Sequence, residues 1–207
     1  LQHPDRCGMG RTRNTQQAFA LRISENLPAR WDGEMGQPLT FKEAITQSMT
    51  MLGQHPSTIF VGQAIKYNSQ AQFDTFSGVP MEKRIEMPVA EDFQMGFCTG
   101  LALQGHIPVS FYPRIDFLLL AANQLVNHLD KIPMMSGYRP KVIIRTCVGQ
   151  KKPLDAGLQH TQNHTEAFRI MLKSVRVDEV HTPEEVISAY QRAITSESST
   201  LIVENPC

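Results

Sequence analysis

Residues 84–117, RIEMPVAEDFQMGFCTGLALQGHIPVSFYPRIDF, limit the possible folds of this chain more than any other stretch. They read as strand, turn, helix, turn, strand. Residues 85–87 form a short apolar run closed by Pro88, which cannot donate to a sheet ladder and suits a strand end. Glu91 then opens a mostly apolar helix to about residue 104, and a carboxylate in the first turn complements the helix dipole. Phe93, Met95, Phe97, Leu101 and Leu103 surround that helix with apolar side chains, which predicts burial on several sides. Gly96 and Gly100 share one helical face. Each weakens a helix by about 1 kcal/mol relative to Ala, so the pair suits a face where another backbone comes close. Glu91 has two readings on this pattern: a surface partner of the helix dipole, or a carboxylate at the front of a buried helix facing a site.

The rest of the chain repeats the alternation. Thr40-Phe41-Lys42-Glu43 is a capping box, and Phe41, Ala44, Ile45 and Leu52 follow at helical spacing. Strands are expected at residues 58–61, 109–111, 142–145, 175–180 and 201–203. Residues 115–130 are predicted as one helix with Phe117, Leu118, Ala121, Ala122, Leu125 and Leu129 on its apolar side. A further helix over 183–196 is capped by Thr182, with Glu185 completing the box. Strands alternating with helices predict an α/β domain, a mostly parallel sheet flanked by helices. The polar, turn-rich stretch 62–80 is too long for an idle connection and falls where such sheets bind ligands. Residues 1–38 lack either period and mix arginines with acids. They read as a surface arm or partly disordered tail, or as an arm draped over a partner. The expected domain is therefore residues 39–207.

Charge excludes some functions. Lys+Arg and Asp+Glu both total 20, so nothing argues for nucleic acid or an anionic membrane as partner. No apolar run approaches the roughly 18 residues of a membrane span. The four cysteines, Cys7, Cys98, Cys147 and Cys207, have no metal-ligand spacing, and reduced thiols in the cytoplasm are the default. His160 and His164 would share a helical face, but no H-E-x-x-H pattern or third ligand accompanies them, so no metal site is expected. His106, His128 and His181 read as surface residues.

Glu91, four residues, Gly96-Phe97-Cys98-Thr99, Gly100-Leu101-Ala102-Leu103, Gln104 resembles a motif of thiamine-diphosphate enzymes: glutamate, four residues, Gly-apolar-x-x-Gly-apolar-x-x-Gln. From residue 39 to about 206 the chain is similar to the pyrimidine-binding domain of the transketolase superfamily. Within it, the chain resembles most the beta subunit of 2-oxo-acid dehydrogenase first components, the pyruvate dehydrogenase type. The likeness rests on LTFKEAI, MPVAEDF, IDFLLLAANQLVN, the MSG run, KVIIRT, QHTQ, and VHTPEE followed by TLIVENP, in the family's order.

The resemblance implies a thiamine-diphosphate-binding fold and an enzyme acting on 2-oxo acids by decarboxylation and acyl transfer. Transketolase-like ketol transfer and a non-catalytic assembly subunit are the alternatives. It implies that the cofactor is shared with an alpha-type partner subunit carrying the diphosphate-binding domain. Magnesium is held by that partner, because the Gly-Asp-Gly…Asn motif is absent here. A homodimer or heterotetramer is expected, in the cytoplasm or, in a eukaryote, the mitochondrial matrix. The glycine face of the Glu91 helix is expected to pack on its counterpart or on a partner helix. Beta subunits of this kind carry a further C-terminal domain, and this chain begins at Leu1 and stops at Cys207, so a short subunit or a fragment is expected, inactive alone.

Residue by residue, Glu91 matches the glutamate that shares a proton with the cofactor's pyrimidine ring, a task a dry pocket favours by penalising the charged carboxylate. Phe117 aligns with the aromatic that stacks on that ring, although an apolar helix also buries phenylalanines. Pro113 stands where the family often has an apolar side chain against the cofactor. His160 matches the histidine facing substrate, and the residue can give or take a proton near neutrality. A solvated loop histidine is its plain reading.

Overall fold

A computed structural model describes residues 38–67, 72–151 and 155–206. Apart from Pro38, the expected arm of residues 1–38 lies outside the described residues.

The first described helix, α1 (Phe41–Gln54), starts where the capping box places it: Thr40 accepts from the Glu43 amide and Glu43 bonds back to the Thr40 amide. β1 (Thr58–Gly62) follows, then β2 (Arg84–Glu86), α2 (Glu91–Leu103) and β3 (Ile107–Phe111). The second half holds a short helix α3 (Ile115–Leu118), α4 (Ile132–Ser136), β4 (Ile143–Cys147), α5 (Thr165–Met171), β5 (Arg176–Val180), α6 (Pro183–Thr195) and β6 (Thr200–Glu204). All six strands are parallel, in the order β2-β1-β3-β4-β6-β5. The expectation of an α/β domain with a mostly parallel sheet holds. No helix among the described residues is long and apolar enough to cross a membrane.

Alternation along each strand divides the core. Val61, Ile144, Leu201 and Val203 join Met95, Cys98, Leu118, Leu125 and Phe168 in one cluster. Their strand neighbours Phe60, Phe111, Ile143 and Ile202 are also fully buried, as in a parallel sheet covered on both faces. α1 and α6 pack on each other. Arg145 on β4 is fully buried among these apolar groups. It meets Glu204 of β6 at 2.8 Å, and the rings of Phe76 and Phe111 each lie 4.9 Å from its guanidinium carbon.

Three local expectations need correction. The predicted helix over 115–130 is broken: α3 passes through a 3-10 turn (Leu119–Ala121) into a π-helical segment (Gln124–Leu129). The buried positions Ile115, Leu118 and Ala121 are three apart, whereas Ala121, Leu125 and Leu129 are four apart. A tight turn followed by a wide one keeps all five inside. α2 is not buried on several sides, since Phe93 is 60% exposed and Leu103 40%. Among the described residues its glycines meet no other backbone, which leaves their expected packing on a counterpart or partner helix untouched. A Cβ on Gly100 would find open space, and one on Gly96 only the Gln124 side chain at 3.6 Å. Finally, His181 is half-buried, its Nδ1 2.8 Å from the Asn205 carbonyl, whereas His106 and His128 are exposed.

Asp130 ties the π-helical segment to the entry of β5. Its Oδ1 accepts from the amides of Lys173, Ser174 and Val175 at 2.8, 2.7 and 3.0 Å, and Lys131 Nζ lies 2.6 Å from Oδ2. Burial pushes this carboxyl up, but Lys131 and the three amides outweigh it and hold it at about 2. A carboxyl depressed on folding stabilises fully above its unfolded pKa, and the stabilisation fades as pH falls through the folded value. The shift corresponds to about 2 kcal/mol. Urea midpoints of wild type and Asp130→Asn should therefore differ most above about pH 5 and converge towards pH 2. Parallel curves over that range would contradict the assignment.

Candidate active site

Strand order locates the crevice. The chain leaves β1 for β2 on one side, then crosses back to β3 on the other, so the connections that leave the C-terminal ends of β1 and β3 run in opposite directions. Open α/β sheets bind ligands at such a switch point. There Gly62 ends β1 against the end of β3, where a Cβ would lie 2.8 Å from the Phe111 carbonyl. Only glycine lets the two strand ends come this close.

Glu91 sits at this point. The helix it opens begins directly after β2, and its side chain is 5% exposed. Gln63, the residue after β1, donates its Nε2 to Glu91 Oε1 at 3.2 Å. Among the described residues this is the only hydrogen bond to the carboxylate. Tyr112, the residue after β3, donates its hydroxyl to the Glu91 main-chain carbonyl at 3.4 Å. Burial, and after it the neighbouring Cys98, raise the Tyr112 hydroxyl well above its ordinary range, which keeps that proton in place. One turn along α2, Gln94 Nε2 bonds Ser110 Oγ at 3.1 Å and the Phe111 carbonyl at 2.9 Å, locking the helix start to β3.

β2 fixes the loop carrying Gln63. Glu86 accepts from the amides of Ala64, Ile65 and Lys66 at 2.5, 3.1 and 2.8 Å, closing a turn in which Ala64 adopts φ 53°. Arg84 donates to the carbonyls of Ile65 at 3.0 Å and Val79 at 2.6 Å, and to that of Phe76. The described part of the expected 62–80 loop is thus a held rim above the sheet.

Phe117 and His160 come together on the other side. Their rings meet edge to face, 5.3 Å between centroids and inclined at 62°. His160 closes a 3-10 turn (Leu158–His160), and its buried Nδ1 has no hydrogen-bond partner among the described residues. Gly149, just beyond β4, lies beneath it: a Cβ there would be 1.7 Å from the His160 carbonyl. Pro113 is buried, and its carbonyl accepts from the Cys147 thiol at 3.0 Å and from Arg114 at 3.1 Å. Burial, then Glu204, push the Cys147 thiol up, consistent with a protonated donor. His164 precedes α5 rather than sharing a helix with His160. Among the described residues no group of three or more His, Cys, Asp or Glu side chains could hold a metal ion.

Sequence reasoning singled out Glu91, Pro113, Phe117 and His160, and the structure carries all four on the loops and helix starts that follow β2, β3 and β4. It did not single out Gln63, Glu86, Tyr112 or Gly149. Gln63 alone had a signal, as the first polar residue beyond a strand–glycine end. The others act through contacts distant in the chain.

No protein-family profile matches the chain. Among curated proteins it is 27% identical over 123 residues to the pyruvate dehydrogenase E1 component subunit beta of Gracilaria tenuistipitata var. liui. It is 28% identical over 123 residues to the chloroplastic subunit beta-4 of Oryza sativa subsp. japonica. Each match covers 58% of this chain, but 37% of the first relative and 30% of the second, so the chain matches about a third of their length. Among solved structures it superposes on a split-gene transketolase, described as an inactive beta4 tetramer, with TM-score 0.64 and 20% identity over 82% of this chain and 52% of that one. Transketolase from Leishmania mexicana gives 0.61 and 15% identity over 90% of this chain and 28% of that one. Over 58% of its length the chain is thus similar to pyruvate dehydrogenase E1 beta subunits, and its fold is the one seen in transketolase structures.

Proposed function

We propose that this chain is the pyrimidine-binding subunit of a two-component thiamine-diphosphate enzyme that acts on 2-oxo acids by decarboxylation and acyl transfer. The observation that carries the reading is Glu91, a buried carboxylate at the switch point with one oxygen held by Gln63 and the other left over. The curated relatives are named as pyruvate dehydrogenase subunits, which favours 2-oxo acids over ketol transfer.

The residues present fit the cofactor's pyrimidine ring. Glu91 Oε2 is the atom to hold and return a proton at a ring nitrogen, and Gln63 keeps the carboxylate from turning away. Phe117 offers a half-buried aromatic face, with Pro113 buried beside it. His160, half-buried at the end of its 3-10 turn, would exchange a proton with substrate or product. When bound, thiamine diphosphate supplies the carbon nucleophile that attacks the substrate carbonyl. The diphosphate and magnesium contacts belong to an alpha-type partner chain. The uncovered face of α2, with Phe93 and Phe97 stacked at 6.1 Å, suits burial against another subunit in a homodimer or heterotetramer.

The division of the site between two chains makes a direct prediction. Calorimetry of the purified chain should show weak or no thiamine-diphosphate binding, and tight, magnesium-dependent binding once the partner is added. Tight magnesium-dependent binding by the isolated chain would sink the two-subunit reading.

A further inference from the structure

The imidazole of His160 has no hydrogen bond at Nδ1 to orient it, so its place over Phe117 depends on what holds the backbone around it. Residues 155–164 form only one 3-10 turn, and they have two side-chain anchors at their far end. Asn163 reaches Glu179 of β5 at 2.9 Å, but that contact is exposed and contributes little. The second anchor points inward. Gln162 Nε2 donates to Asp116 Oδ1 at 3.1 Å, and His164 Nε2 lies 3.6 Å from the same oxygen.

Asp116 is an unusual anchor. It is 9% exposed, it stands next to Phe117 in α3, and its second oxygen is buried with no partner. A buried carboxylate oxygen left unbonded keeps an uncompensated desolvation penalty. An interior group with that penalty calls for a compensating role. One residue of α3 thus grips the segment that carries His160, and the next residue supplies the ring on which His160 rests. Gly149 completes the seat, because any side chain there would strike the His160 carbonyl.

We propose that Asp116 is a positioning residue: through Gln162 it holds the 157–164 segment so that the His160 imidazole stays packed on Phe117 in the active site. The inference rests on the reading of His160 as an active-site group, and its test separates the two. The first readout needs neither cofactor nor partner. Histidine ring NMR signals of the full chain report the His160 protons, which the Phe117 ring current displaces, and Phe117→Leu identifies them. Asp116→Ala should abolish that displacement while the amide exchange of the sheet stays as in wild type. Asp116→Asn, which keeps an oxygen for Gln162, should restore it. Gln162→Ala, at an exposed position, should reproduce the loss with the carboxylate in place, which keeps the test open if Asp116→Ala folds poorly. His160 signals that stay displaced in both Asp116→Ala and Gln162→Ala would overturn the proposal, as would a failure of Asp116→Asn to restore them.

The second readout is turnover in the complex reconstituted with the partner. Asp116→Ala should lower kcat in wild type and have no further effect in a His160→Ala background, the signature of two residues acting as one unit. A ring displaced by Asp116→Ala with kcat unchanged would remove His160 from the active site and leave the positioning intact.

Discussion

Replacing Glu91 with Gln should leave a folded chain that still assembles and still binds thiamine diphosphate with its partner, but turns over at least ~100-fold more slowly, the low end of general acid–base effects. Gln keeps the size of the side chain, and its oxygen can still accept from Gln63, which lies 3.2 Å from Glu91 Oε1. What disappears is the proton that Oε2 can hold and return. Exchange of the cofactor's thiazolium proton, followed by NMR in the reconstituted complex, isolates this step from substrate binding and product release. The competing account makes Glu91 a dipole partner at the start of α2. In that case the change costs only ~0.3–1 kcal/mol of stability and activity survives. Near-wild-type exchange in Glu91→Gln would end the catalytic assignment without touching the fold.

The largest effect on stability is expected from Glu204→Ala. Glu204 and Arg145 are 3% and 0% exposed. Glu204 receives Arg145 Nε at 2.8 Å and the Tyr190 hydroxyl at 2.7 Å. Arg145 spends another donor on Thr75 Oγ1 at 2.8 Å, and its guanidinium carbon lies 4.9 Å from both the Phe76 and the Phe111 rings. Removing the carboxylate leaves a guanidinium in an apolar layer between β4 and β6 with its charge unmatched. Breaking a buried pair in this way costs about 3–5 kcal/mol. For a domain of this size each kcal/mol moves the melting temperature by roughly 2–4 °C. Replacing both members, Arg145→Met with Glu204→Leu, should cost less than the single change, because no charge is then stranded. Chemical denaturation of both variants decides the matter: a Glu204→Ala loss below about 1 kcal/mol would mean that water reaches the guanidinium.

Local chemistry in the sequence is enough to place many elements. Thr40 and Thr182 announce α1 and α6 because a hydroxyl that accepts an N3 amide works within four residues and needs no other part of the chain. Glu91 at the head of α2 is equally local, as is the alternation that implies a parallel sheet. α5 escaped notice because it is seven residues long and buries only Thr165 and Phe168, too few for a helical period to show. The break after α3 escaped as well, since spacings of three and of four both pass for an ordinary helix until packing demands each in turn.

The tertiary structure decided the rest. That β6 lies between β4 and β5, and that β1 and β3 meet closely at Gly62, follows from pairings between distant segments, which no local period encodes. Those pairings set Gln63 against Glu91, place the Arg84 and Glu86 side chains under the rim, and lay His160 on Phe117 above Gly149. The sequence by itself offered Glu91, Pro113, Phe117 and His160 as candidates and supplied the alternation that implies a parallel sheet. Only the assembled sheet, with its strand ends aligned, determined which of those residues meet, because a hydrogen bond or ring contact acts over a few ångströms and the chain between the partners carries no information about that distance.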